Sequence, residues 1–173
     1  MQRHTNQRKN YIREGGIDMY YEDYLSKALS NIVSSRHALY EYTISLDSKL
    51  GKNMKNLSAY HTQQAIELIL KYEIYNNQGY NKGSSNFAQI MSHDIDRLIK
   101  KYCTSYKIWV PSIIIKNADR YTKWEAGSRY SLGFSVRKDS IHAAIKATED
   151  WLIKINPKYK KQVSIYKNKY SLD

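Results

Sequence analysis

Five histidines and one cysteine are the side chains best able to ligate metal or transfer protons near neutral pH in this 173-residue chain. On one periodic segment His61, Gln64 and Lys71 are polar groups that could line a groove. The favoured reading is plainer: His61 and Gln64 satisfy each other and nearby backbone groups beside the core. His93 stands next to Asp94, a combination seen in catalytic and metal pairs, but also at the start of a helix. The helix start is the favoured expectation. No second His or Cys stands at metal-ligand spacing, so no zinc site is predicted. There is no glycine-rich phosphate loop and no GxSxG elbow, and no cofactor is expected.

These residues lie on segments whose apolar spacing is helical. Leu25, Ala28, Leu29, Ile32, Val33, Leu39 and Tyr40 form one stripe in residues 18–47, and Gly51 is expected to close that helix. A second helix is predicted over about residues 55–77. Leu57, His61, Gln64, Ala65, Leu68, Ile69 and Tyr72 share its buried side. Glu67 and Lys71 form a favourable i,i+4 pair there. Glu67 is also expected to meet a basic residue of another helix, Arg129 or Arg97, and so fix the bundle's register. Residues 76–86 read as a loop. Ser92 is the expected cap of a third helix burying Ile95, Leu98, Ile99, Tyr102 and Tyr106. Pro111 should start a fourth, carrying Ile114, Ala118, Tyr121 and Trp124 and stopped by Gly127. The fifth runs from Ser135 or Asp139 to Ile155, with Ile141, Ala144, Ile145, Thr148, Trp151, Leu152 and Ile155 on its apolar side. Trp124 and Trp151 are expected in the core, and Trp109 beside Pro111 is a candidate partner contact.

Seven Gly and two Pro are too few for a sandwich or barrel, and a hydrophobic content of 42% suffices for a core. The expected fold is therefore all-α, an up-and-down bundle of four or five helices. Residues 1–16 read as a flexible basic arm, 17–156 as the bundle and 157–173 as a basic, solvated tail. The tail mixes five Lys with Tyr, a composition shared with single-strand binders. No apolar run reaches the roughly 18 residues of a membrane span. The lone Cys103 cannot form an internal disulfide, which fits a cytoplasmic setting. Twenty-eight Lys and Arg against sixteen Asp and Glu leave a charge of +12. Such an excess suits an anionic partner. The 17 Tyr against 2 Phe also point to an AT-rich coding sequence, which weakens that inference.

Residues 59–72, AYHTQQAIELILKY, resemble the signature of the HEPN domain family, in which Gln-Ala-x-Glu is followed by Lys. Here these are Gln64, Ala65, Glu67 and Lys71. HDIDRLI (93–99) resembles the family's His-acid segment; ADRY (118–121) and SRY (128–130) both resemble its Arg-Tyr element, and SRY is closer to the expected place. IHAAIKATEDWLIKI (141–155) resembles its closing alanine-rich helix. The resemblance runs in order over residues 20–156. It implies a HEPN-like bundle that often dimerises and acts near nucleotides or RNA. The partner it implies is a second copy or a protein such as a minimal nucleotidyltransferase, in a toxin–antitoxin or phage-defence setting. Candidate contacts to RNA, nucleotide or partner are then His61, Gln64, Lys71, Arg129 and Tyr130.

Some family members are metal-independent ribonucleases that carry Arg, four to six residues, then His, presented across a dimer interface. RKDSIH, Arg137 to His142, has that spacing. The imidazole would move the 2′-hydroxyl or leaving-group proton, and the guanidinium would hold the phosphate. Lys138 follows Arg137, where those members carry Asn or a small polar residue, and Ala143-Ala144 follow His142, where aromatics are common. The favoured expectation is a solvated helix start and a non-catalytic module. The alternatives are a ribonuclease using Arg137 and His142, and a structural subunit of a larger complex.

Overall fold

The computed structural model describes residues 11–14, 17–20, 23–78, 92–130 and 135–172. It is an all-α bundle with one small hairpin at its N-terminal end. Strands β1 (Tyr11–Glu14) and β2 (Ile17–Tyr20) pair antiparallel, with Tyr11 opposite Tyr20 and Glu14 opposite Ile17. The expected arm therefore gives way to strands before residue 16. Tyr, Ile and Met residues flank the Gly15-Gly16 dipeptide, a hairpin signal that a reading by polarity alone overlooks.

Helix α1 (Asp23–Ile44) buries Leu25, Ala28, Ile32 and Leu39 as the stripe predicts, and also Ser35 and Arg36. Helix α2 (Ser48–Gln78) starts seven residues before the predicted boundary of 55. Asp47 is the reason: its Oδ1 accepts the Leu50 N–H at 2.7 Å, and its carbonyl accepts the Gly51 N–H at 2.8 Å. Gly51 thus lies in the first turn of α2 and does not close α1, because the cap chemistry of Asp47 decides the boundary.

α2 is the central post, packed against α1, the 95–98 turn and the two later long helices. Between Ser58 and Lys71 most positions are buried on every side. Small residues let α1 and α2 approach closely. Ser35 Oγ donates to the Ser58 carbonyl at 2.9 Å, Ser58 Oγ donates to the Ser35 carbonyl at 2.8 Å, and Thr62 Oγ1 sits 2.6 Å from Ser35 Oγ. Leu57, predicted buried, is 42% exposed. It precedes the span, Ser58 to Lys71, in which most positions are buried.

Helix α3 (Ile95–Leu98) runs into a π-helical turn at Ile99–Cys103. Its cap is Asp94, whose Oδ1 accepts the Arg97 N–H, while the predicted cap Ser92 accepts the Asp94 N–H. Ile95, Leu98, Ile99 and Tyr102 are buried as expected, but Tyr106 is exposed beyond the turn. Pro111 precedes the short α4 (Ser112–Lys116), and Asn117 separates it from α5 (Ala118–Tyr130). α5 continues through Gly127. A helical glycine costs only about 1 kcal/mol relative to Ala, so it need not end a helix. Ala118, Tyr121 and Trp124 pack inward, with the two rings edge to face at 4.6 Å.

Helix α6 (Lys138–Ile155) buries Ile141, Ala144, Ile145, Thr148, Trp151 and Leu152 as predicted, and Glu149 in addition. The expected solvated tail is instead folded. A 3-10 turn at Pro157–Tyr159 leads into α7 (Lys160–Lys169), which packs on α1. Tyr159, Val163 and Leu172 are buried, so three apolar anchors among many cations suffice to dock the segment. Among the described residues no helix is long and apolar enough to cross a membrane.

Ala65 is fully buried on α2. Ala65→Leu should overpack this contact and lower the unfolding free energy by about 1–3 kcal/mol in urea titration. An unchanged midpoint would contradict the packing described.

Candidate functional site

Polar chemistry gathers at two places, each built on charged residues that interrupt apolar stripes. The first is on α2. Glu67, buried, accepts from Lys71 Nζ at 2.8 Å one turn along, and from Gln63 Nε2 at 3.0 Å one turn back. His93, from the segment before α3, places Nδ1 3.0 and 3.1 Å from the two carboxylate oxygens. Glu67's cross-helix partner is thus His93. Arg97 is exposed at the surface of α3, and the side chain of Arg129 lies outside the described residues. Asp94 caps α3, so the adjacent His-Asp pair divides between two separate tasks.

Glu125 Oε2 lies 4.0 Å from His93 Nδ1, and Glu67, His93 and Glu125 bring ligand atoms within 4.8 Å of one another. Such a set is chemically able to bind zinc. The oxygens of Glu67 already accept from Lys71, Gln63 and His93, so the cluster works as a charge-matched hydrogen-bond network. Burial alone would raise the Glu67 pKa, but hydrogen bonds and charge from His93 and Lys71 outweigh it and hold the carboxyl below its ordinary range. The His93 imidazole is raised, chiefly by its hydrogen bond to Glu67.

The predicted groove of His61, Gln64 and Lys71 does not assemble. His61 Nδ1 is 2.8 Å from Asn31 Oδ1 on α1, and burial lowers its pKa. Gln64 Nε2 donates to Gln63 Oε1 at 2.6 Å. Lys71 is 0% exposed against Glu67. Each group is satisfied, though His61 and Gln64 do not satisfy each other. Arg129 and Tyr130 belong to the last turn of α5, and their side chains lie outside the described residues.

The second place joins α1, α6 and α7. Arg36 binds Glu149 in two contacts, Nε to Oε1 at 2.8 Å and Nη2 to Oε2 at 3.0 Å, with both residues buried. Arg36 Nη1 donates to the Tyr170 carbonyl at 3.1 Å, and Lys167 Nζ approaches Glu149 Oε2 at 3.2 Å. Above this pair opens a cavity of about 540 Å³ lined by Arg36, His142, Lys146, Lys167, Asn168 and Ser171. Sequence reading missed Arg36, Glu149, Lys146 and Lys167. Arg36 and Glu149 each fall on the apolar stripe of their own helix, and that misplacement was the available signal.

Arg137 is elsewhere. It precedes the first turn of α6 and lines a different cavity, about 410 Å³, with Arg120, Lys123 and Ser140. Its backbone is extended there, outside the helix that carries His142. Within one chain, Arg137 and His142 line separate cavities. Trp109, the candidate partner contact, is half exposed, with Lys154 Nζ 3.3 Å from its ring centre.

A family profile described as HEPN domain matches residues 21–152. No curated protein matches the chain, and no solved structure matches it.

A raised His pKa contributes stability that is complete below the ordinary value of 6.5 and vanishes as pH rises through the folded value. The stability gap between wild type and His93→Gln should therefore be full below the ordinary imidazole range and narrow as pH rises above it in chemical denaturation. A gap independent of pH would contradict the Glu67–His93 interaction.

Proposed function

The chain belongs to the HEPN domain family, and on that premise we propose that it is a non-catalytic, partner-binding module of a bacterial toxin–antitoxin or phage-defence type system. Family membership supports a general nucleotide- or RNA-associated role. The non-catalytic part rests on one observation: Arg137 and His142 line different cavities of the same chain. A guanidinium that holds the scissile phosphate and an imidazole that moves its proton must reach one reacting centre. A single copy with this geometry has no such centre. The partner in this reading is a second copy or a nucleotidyltransferase-like protein. Its association with RNA is driven by phosphate contacts from the basic surface and is weakly selective for sequence.

A second reading, a metal-independent ribonuclease, draws on the Arg137–His142 spacing and on the cations that surround His142. It requires a second copy to bring Arg137 of one chain to His142 of the other. End-labelled RNA incubated with the full chain in excess chelator distinguishes the two. The expected result is intact RNA together with binding that weakens steeply as salt rises. Chelator-resistant cleavage that falls by about 100- to 10,000-fold in His142→Ala would overturn the non-catalytic reading.

A further inference from the structure

His142 and Lys146 stand one turn apart on α6 and face the same cavity. α7 supplies Lys167 and Asn168 from the opposite wall, and Arg36 of α1 forms the floor. We infer that this cavity is a phosphate-monoester site, completed by the C-terminal helix, for the end of an RNA strand or a free mononucleotide. The inference rests on the nucleotide- or RNA-associated reading and gives it a location.

Charge, burial and size point the same way. Arg36 is buried, and its planar fork is locked by Glu149 and the Tyr170 carbonyl, so its remaining N–H donors are pre-oriented. Three permanent cations, Arg36, Lys146 and Lys167, converge on the space. The opposing charges are Glu149, whose oxygens already accept from Arg36 and Lys167, and exposed Asp150, 3.9 Å from Lys167. Lys146 has no ion-pair partner among the described residues. Against these two carboxylates the three cations leave an excess of one positive charge, and a phosphate entering between Lys146 and Lys167 would accept charge-assisted hydrogen bonds from both. Asn168 and Ser171 add neutral polar groups at the rim. The volume of about 540 Å³ falls inside the usual small-ligand range of about 300–1,000 Å³. No Tyr, Trp or Phe is among the described residues that line it, so nothing there stacks a base. Recognition therefore falls on the phosphate.

The test is isothermal titration of the full chain, at low salt, with two oligoribonucleotides of one sequence, one 5′-phosphorylated and one 5′-hydroxyl. The phosphorylated strand should bind about tenfold more tightly. Lys146→Ala, at an exposed position, should erase that preference and leave the circular dichroism spectrum unchanged. Lys167→Gln should do the same if α7 stays docked. AMP that competes with the phosphorylated strand, with adenosine inert, supports a free nucleotide as occupant. A retained 5′-phosphate preference without AMP competition supports the RNA end. Equal affinity for both strands, untouched by Lys146→Ala, overturns the site while salt-sensitive RNA binding keeps the broader reading. Absence of any RNA or AMP binding overturns both.

Discussion

The Arg36–Glu149 pair is the contact on which the arrangement of the outer helices depends. Burying two charges costs several kcal/mol each unless geometry and extra hydrogen bonds compensate. Here compensation comes from three helices. α1 carries the guanidinium and α6 the carboxylate, while α7 contributes Lys167 and the residue that follows the helix, Tyr170, contributes its carbonyl. The pair therefore specifies how the first helix, the closing helix and the C-terminal helix meet. It also puts a fixed cation at the base of the cavity that holds His142 and Lys146. Without α7 the floor would lie open and the carboxylate would lose one of its partners.

The middle of the bundle solves a related problem by other means. α2 is surrounded, so its polar positions cannot all face water. Ser58 and Thr62 turn their hydroxyls onto Ser35 and backbone carbonyls, which converts polarity into close helix approach. Glu67 and Lys71 neutralise each other one turn apart, and His93 ties that pair to the start of α3. Buried polar networks are tolerable when every member is satisfied, and they then select one packing among several.

The apolar framework was legible in the sequence because its spacing is strict. The stripes of α5 and α6 are buried nearly residue for residue, while α1 buries Leu25, Ala28, Ile32 and Leu39 and leaves Leu29, Val33 and Tyr40 partly exposed; the family match over residues 21–152 spans the motifs at Gln64–Lys71 and His93–Ile99. Boundaries were less legible. Gly51 and Gly127 read as helix ends by their residue type, yet Asp47 caps α2 ahead of Gly51 and α5 absorbs Gly127. α7 was hidden because its cations dominate composition while three separated apolar residues do the docking. Long-range pairs were the least legible. Arg36 and Glu149 are 113 positions apart, and only their seats on apolar stripes hinted at a buried charge pair. Arg137 and His142 line different cavities, which a motif spacing read along the chain does not display.

Function then follows from which groups share a surface. His142 is grouped with cations from three helices, and Arg137 is not among them. That grouping exists only if the buried pair holds α1, α6 and α7 together. A double-mutant cycle measures this directly, with Arg36→Met, Glu149→Met and the double variant compared in unfolding free energy. Each single variant should lose about 3–5 kcal/mol, because each strands a buried charge. The double variant should lose less than the sum by at least about 1 kcal/mol. Additive losses, or single variants within about 0.5 kcal/mol of wild type, would show that the pair does not organise these helices.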